Sequence, residues 1–295
     1  MRKTRWGASF AILGTLAGAS PAAHGQAEAP AVHVVIPARP RSVRFAVIGD
    51  SGTGALEQYQ VGKMMASYHD AFPFDFVLMM GDNIYGPKDY RKKFEEPYED
   101  LLRAGAKFLA CLGNHDHKSE VDYALFNMHG NRYYRFSFGD IDFFALDSSH
   151  MDVGQLKWID TQLDGSKALW KICFFHHPYY SHSRFHEEDV NLRRELEPLF
   201  VKHGVNVVLT GHQHVYERIK PQLGIYYFVL GNSGQLRYHD LKESAETAKG
   251  YDTDRTFMLG EIAGDEFYLQ TISRVGETVD SGTLPRQQSA NSGSR

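Results

Sequence analysis

The chain has 295 residues, 42% of them hydrophobic and 13% aromatic, with 27 glycines, 11 prolines and two cysteines. That composition excludes fibrous, low-complexity and disulfide-framed classes and is long enough for one large α/β domain. The formal net charge of −4 argues against a nucleic-acid partner, which would need a basic stripe.

At the N-terminus, Arg2, Lys3 and Arg5 precede an uncharged apolar core, 6–20, and Ala23 and Gly25 offer small-residue cleavage positions. Residues 1–25 therefore read as a secretory signal peptide, with a core too short to span a bilayer. Its removal leaves 29 basic against 36 acidic residues, a net charge near −7. The expectation is a secreted or periplasmic protein with no membrane contact after cleavage. No Asn-x-Ser/Thr sequon occurs, which fits a bacterial exported protein. Cys111 and Cys173 each lie in an apolar strand-like run and are expected as buried free thiols.

The Ala-, Pro- and Arg-rich stretch 26–42 reads as a linker. After it, periodicities alternate. Strands are predicted at 43–49, 74–81 and 107–113. Helices are predicted at 55–71 and at 90–105, the latter interrupted at Pro97 and closed by Gly105. Residues 132–147 read as a hairpin turning at Gly139-Asp140. A helix at 154–163, a strand at 169–176, a helix at 189–203 and a strand at 205–211 follow. Three further strands, 224–231, 256–264 and 266–273, close one domain over 43–280. The small, polar segment 281–295 reads as a disordered tail. Apolar strands alternating with helices imply α/β sheets covered by helices, and the hairpin and final strands add antiparallel pairing.

Four strands end alike: Gly49 is followed by Asp50, Gly81 by Asp82, Gly113 by Asn114 and Gly211 by His212. A fifth, "KICFF", runs into His176. Carboxyl ends of strands are where α/β sites assemble, and Asp, Asn and His are metal-ligand types. Tyr85 lies one tight loop from Asp82. His212 and His214, two apart on an extended segment, project to one side about 6–7 Å apart. That offset suits two metals ~3.5–4 Å apart.

The blocks "GDSG" (49–52), "GDNIY" (81–85), "GNHD" (113–116), "HHP" (176–178) and "GHQH" (211–214), in this order, resemble the calcineurin-like metallophosphoesterases, specifically the small, mammalian-type purple acid phosphatases. The likeness covers roughly residues 43–275, and the tyrosine is the mark of the purple subclass. It implies a four-layer αββα sandwich of two mixed β-sheets flanked by helices. It implies two metals bridged by Asp82, with Asp50, Tyr85 and His214 on an Fe(III) side. Asn114, His176 and His212 would hold a divalent metal (Fe, Zn or Mn), with His177 as the rival to His176. His115 resembles the substrate-contacting histidine, and His186 an outer-sphere one, with His182 as competitor. The implied reaction is acid hydrolysis of phosphomonoesters by in-line attack of a metal-bound hydroxide. Three ligand negative charges against five positive ones would attract the anionic substrate despite an acidic chain. Small phosphomonoesters, nucleotides and phosphoproteins are the implied substrates, and the protein is expected as a monomer.

Three rivals share these residues. A GDS-type serine esterase would use Ser51, with Asp147 and His150 in "DSSH", but leaves the other strand ends without a role. A phosphodiesterase or nucleotide hydrolase with a Mn or Zn pair would use the same ligands. A non-catalytic metal-binding protein would keep them without turnover.

Overall fold

The computed structural model describes residues 1, 3, 32–186 and 188–287. The expected signal peptide, residues 1–25, lies outside the described residues apart from positions 1 and 3.

Two mixed sheets form the centre. The first has the order β13-β12-β11-β1-β2-β3 and the second β10-β8-β9-β7-β6-β5-β4. The parallel core of the first is β1 (Val43–Ile48), β2 (Phe76–Met79) and β3 (Lys107–Ala110). That of the second is β5 (Ile141–Ala145), β6 (Trp170–Phe174), β7 (Val207–Thr210) and β9 (Ile225–Leu230). Antiparallel strands extend both: β4 (Tyr134–Phe138) pairs β5, and β8 (Tyr216–Gln222) joins β9 to β10 (Thr247–Tyr251). In the first sheet β11 (Thr256–Ala263), β12 (Glu266–Ser273) and β13 (Thr278–Pro285) continue from β1.

Period-two alternation sets the layers. Phe45 and Val47 of β1 face the second sheet, while Ala46 and Ile48 pack under α1 (Leu56–Ala71) with Val61, Met65 and Tyr68. Across the molecule Val207 and Leu209 of β7 face inward. Val208 instead packs with Ile159 of α3 (Val153–Asp164) and Leu196 of α4 (Val190–His203). The result is the four-layer αββα sandwich that the resemblance implied. Helix limits follow local chemistry: the Asp152 and Asp189 carboxylates cap α3 and α4 by accepting from Gln155 N and Leu192 N, and Gly204 at φ +65° ends α4. The predicted helix at 90–105 is a π-helical turn, Arg91–Glu95, followed by α2 (Glu99–Arg103), broken around Pro97 as expected. Cys111 and Cys173 are both buried and free.

Two boundary readings are corrected. Ser281–Pro285 are not tail but the second half of β13, paired to β12, with Leu284 against the core; residues 288–295 lie outside the described residues. The expected linker, described from Val32, is built into the domain. Val35 N donates to Gln270 Oε1 and Ala38 N to the fully buried Glu261, each at 2.9 Å, and Ile36 is buried. β8, β10 and β13 escaped sequence reading because charge and proline hide their alternation. Arg218 of β8 pairs with Asp280 of β13 at 2.7 Å, and Pro285 is tolerated on an edge strand.

Candidate metal centre

The carboxyl ends of β1, β2, β3, β6 and β7 converge, and each delivers its polar side chain to one place. Asp50, Asp82 and His176 are buried, Tyr85, His212 and His214 half-buried, and Asn114 and His115 exposed. Three of these, Asp50 (φ +52°), Asp82 (φ +50°) and His212 (φ +66°), adopt left-handed backbone directly after a strand-end glycine. Non-glycine residues are rare in that region, and such strain gathers at functional sites.

The side chains divide into two sets. In one, the Tyr85 hydroxyl donates to Asp50 Oδ1 at 3.0 Å and lies 3.2 Å from His214 Nε2, itself 3.4 Å from Asp50 Oδ1. In the other, Asn114 Oδ1 lies 3.0 Å from both His176 Nε2 and His212 Nδ1, which are 3.2 Å apart. Asp82 stands between: its Oδ1 is 3.5 Å from His176 Nε2, and its charge reaches Asp50 and Tyr85. Ligand atoms of Asp50, Asp82 and His176 all lie within 4.8 Å of one another, as do those of His176, His177 and His212. His177 Nδ1 lies 3.0 Å from Ser148 Oγ.

The neighbours hold these groups in place. His176 Nδ1 lies 2.8 Å from Met80 O, leaving Nε2 to face Asn114. His212 N donates to Asp50 Oδ2 at 2.8 Å, tying the two sheets together. His115 N donates to Asp82 Oδ1 at 2.9 Å. Asp116, inside a motif block but given no role from sequence, accepts from Ile84 N (3.1 Å), Gly113 N (2.8 Å) and Asn83 Nδ2 (2.8 Å), lacing the β2 and β3 loops.

Electrostatics fit a cation site. Burial, then the charge of Asp82, pushes Asp50 well above the usual carboxylate range. Burial, then Asp50 and Asp82, pushes the Tyr85 phenol up. Burial, then His177, holds His176 well down. Burial, then His176 and His177, brings His212 to about 2, and burial, then Arg237, brings His214 to about 4. Buried acids that repel one another beside imidazoles held neutral form a donor set that a cation would relieve. Carboxylate, phenol and amide oxygens with imidazole nitrogens suit a hard or borderline metal. The space is kept clear by glycine: a Cβ on Gly211 would meet Asp50 Oδ2 at 2.5 Å, and one on Gly81 would meet His176 Nδ1 at 2.7 Å.

The outer histidines separate. The His115 ring lies 5.0 Å from that of Tyr85, and the His186 ring 4.5 Å from that of His212. His186 also lines a cavity of about 370 Å³ with His177, Asp189 and His212. His182 is occupied elsewhere: its Nδ1 is 2.7 Å from Glu217 Oε1 and its Nε2 3.4 Å from Glu246 Oε2. Ser51 is buried, and Asp147 is committed to Arg132 at 2.7 Å. Arg237, beside His214 and His186, was missed; a lone arginine in a loop of no recognisable motif carries no signal in sequence.

Fold and site together define a phosphoesterase class. The chain belongs to the calcineurin-like phosphoesterase family, whose model matches residues 43–216. Among curated proteins it is similar to tartrate-resistant acid phosphatase type 5 of Rattus norvegicus, 24% identical over 309 positions, covering 86% of this chain and 93% of the relative. It is also similar to purple acid phosphatase 18 of Arabidopsis thaliana, 28% identical, covering 65% of this chain and 48% of that one. Among solved structures, purple acid phosphatase PPD1 of yellow lupin shares the fold (TM-score 0.69, 18% identity, 85% of this chain and 55% of that one). So does GAP50, described as the anchor in the inner membrane complex of Plasmodium (TM-score 0.73, 18% identity, 84% and 90%).

Proposed function

We propose that the chain is an exported acid phosphatase that hydrolyses phosphomonoesters at an Fe(III)–divalent metal pair. The observation that carries this reading is the division of seven donors into two sets meeting at Asp82, with a tyrosine hydroxyl in only one of them. Asp50, Tyr85 and His214 would hold the trivalent ion, Asn114, His176 and His212 the divalent one, and Asp82 both. His176 is preferred to His177 because it is fully buried and its Nε2 faces Asn114 and His212.

When bound, such a pair supplies Lewis-acid polarisation of phosphoryl oxygens and acidifies water. The chain's own residues do the rest. The neutral imidazoles of His176, His212 and His214 keep their lone pairs free for ligation at mildly acid pH. His115, exposed beside the Tyr85 ring, would donate to a phosphoryl oxygen. His186, against His212 and open to the cavity, would serve as the acid that gives the departing oxygen its proton. The same fold occurs in a protein described as an anchor, and a fold by itself does not imply turnover. The intact donor set and the two outer histidines favour the enzyme.

Metal analysis together with a visible spectrum tests the reading. Wild type should hold iron and a divalent metal and display a tyrosinate-to-iron charge-transfer band that Tyr85→Phe abolishes. Wild type should also turn over p-nitrophenyl phosphate. An iron-free protein active with manganese or zinc alone would refute the purple subclass and favour the Mn or Zn phosphodiesterase reading.

A further inference from the structure

His186, whose ring lies 4.5 Å from that of His212, ends the loop 181–186. Two residues of chain reach up to about 7 Å, whereas an acid works only within hydrogen-bond distance. What fixes this loop therefore decides whether His186 meets the departing oxygen.

Most of its ties run to another loop. Ser183 bridges Leu241 and its Oγ donates to Asp240 Oδ2, Arg184 N donates to Asp240 O at 2.7 Å, and Lys242 N donates to His182 O at 2.8 Å. Phe185, 62% exposed, packs on the His186 ring (4.8 Å), and the Arg237 guanidinium carbon sits 3.4 Å from its centroid. Arg237 belongs to the second loop, and its backbone N donates to His214 O at 3.0 Å. Near the ligands, His186 itself has one long bond, its O accepting from Gln213 Nε2 at 3.4 Å.

His182 is held differently. Its N donates to Oε2 of Glu217 at 2.9 Å, and its Nδ1 lies 2.7 Å from Oε1 of the same carboxylate, which is fully buried in β8. Thr247 Oγ1 donates to that Oε1 as well, and Glu246 Oε2 stands 3.4 Å from the far ring nitrogen, Nε2. Among the described residues Glu217 pairs with His182 and with no lysine or arginine, so this imidazole satisfies a carboxylate that burial would otherwise penalise. β8 lies between β9 and β10 in its sheet and starts two residues after His214. One strand therefore carries a metal-side histidine at its entrance and, next to it, the tie to the loop of His186.

We propose that His182 is a positioning residue: through buried Glu217 it fixes the loop 181–186 to β8 and so holds His186 against His212. The proposal rests on the reading of His186 as the acid of this centre. Its consequence is selective. p-Nitrophenolate is a weak base that departs without a proton, whereas the alkoxide of glycerol is a strong base that needs one. Loosening His186 slows the second ester and spares the first.

The test uses the metal-loaded full chain, with p-nitrophenyl phosphate and β-glycerol phosphate as probes. In His186→Ala, kcat for the glycerol ester should fall on the order of 100-fold more than kcat for the nitrophenyl ester. In His182→Ala the difference should be about tenfold, part of that loss, with metal content as in wild type. His182→Asn, whose amide can take the place of Nδ1 against Glu217, should recover most of it. A His182→Ala chain that unfolds, loses metal, slows both esters alike or slows neither overturns the proposal, as does failure of His182→Asn to recover. If His186→Ala shows no difference between the esters, or wild type turns over neither, the acid or phosphatase reading fails instead. The crystal structure of His182→Ala then decides the role of His182: the His186 and His212 rings still 4.5 Å apart would overturn it, and rings drawn apart would uphold it.

Discussion

Gly211→Ala is the sharpest probe of how the centre is held. The added Cβ would stand 2.5 Å from Asp50 Oδ2 and 2.8 Å from Met80 O, where ordinary contact begins at 3.4 Å. Something must therefore yield by about 0.9 Å. Neither side yields freely. Asp50 Oδ2 accepts His212 N at 2.8 Å, Asp50 N donates to Gly81 O at 3.0 Å, Gly211 N donates to His176 O at 2.9 Å, and Met80 N donates to Ile48 O at 2.8 Å. Displacing any one of these moves a proposed ligand of the centre. Overpacking of this kind costs about 1–3 kcal/mol of stability. A misplacement near 1 Å costs roughly 100-fold in rate.

Metal content, thermal melting and p-nitrophenyl phosphate turnover are the assays. The variant should lose metal affinity and about 100-fold in kcat while remaining folded. Gly282→Ala in β13, where a Cβ meets nothing within 4 Å, should match wild type in all three. If Gly211→Ala binds both metals as wild type does and keeps its rate within twofold, Asp50 Oδ2 is not part of a tightly positioned centre, and the ligand assignment falls.

Ser51→Ala should keep activity within about twofold, since a buried turn serine contributes at most a local hydrogen bond; loss of activity with metals retained would revive the esterase rival. Asp142 is buried, and although desolvation opposes it, hydrogen bonds from Ser137, Ser166 and Arg135 hold its carboxyl below the usual range. A depressed folded value adds stability above the unfolded value, lost as pH falls through the folded one, so Asp142→Asn should cost about 3 kcal/mol near pH 7 and progressively less below about pH 4 in urea unfolding. Stripping the metals should lower the melting temperature by roughly 10 °C, from about 4 kcal/mol of linkage for sites filled at 1,000 times Kd. An unchanged melting temperature after verified metal loss would count against a centre built from these residues.

Legibility followed burial. β1, β2, β6, β7 and β9 are buried throughout or nearly so, so their apolar runs announced them. β8 was hidden because a buried charge looks like a surface one in sequence: Glu217 is inside the fold only because it is bonded to His182 and Thr247. Residues 32–42 looked like a linker for the same reason, since the buried Glu261 that captures their backbone lies more than 200 positions away. The donors at the strand ends were legible because each follows its strand at once. Arg237 was not, because its place depends on Phe185 and His214, which the sequence sets far from it.

Every one of the five strand ends belongs to the parallel part of a sheet, β1, β2 and β3 in one and β6 and β7 in the other. Parallel strands end at a common edge, so side chains leaving five ends meet only if the backbone reverses within a residue or two. At β1, β2 and β7 the reversal is made by a glycine followed by a left-handed residue, at a cost of about 1 kcal/mol or more each. Glycine is required there because a Cβ would strike the neighbouring ligand or backbone. Asp, Asn and His suit the next position because they tolerate left-handed backbone better than most residues, and they are also metal ligands. One residue choice thus meets the steric demand of the turn and the chemical demand of the site. That is why Gly-Asp and Gly-His after apolar runs speak more clearly here than either dipeptide does elsewhere, and why Ser51, one residue past the turn, is left buried.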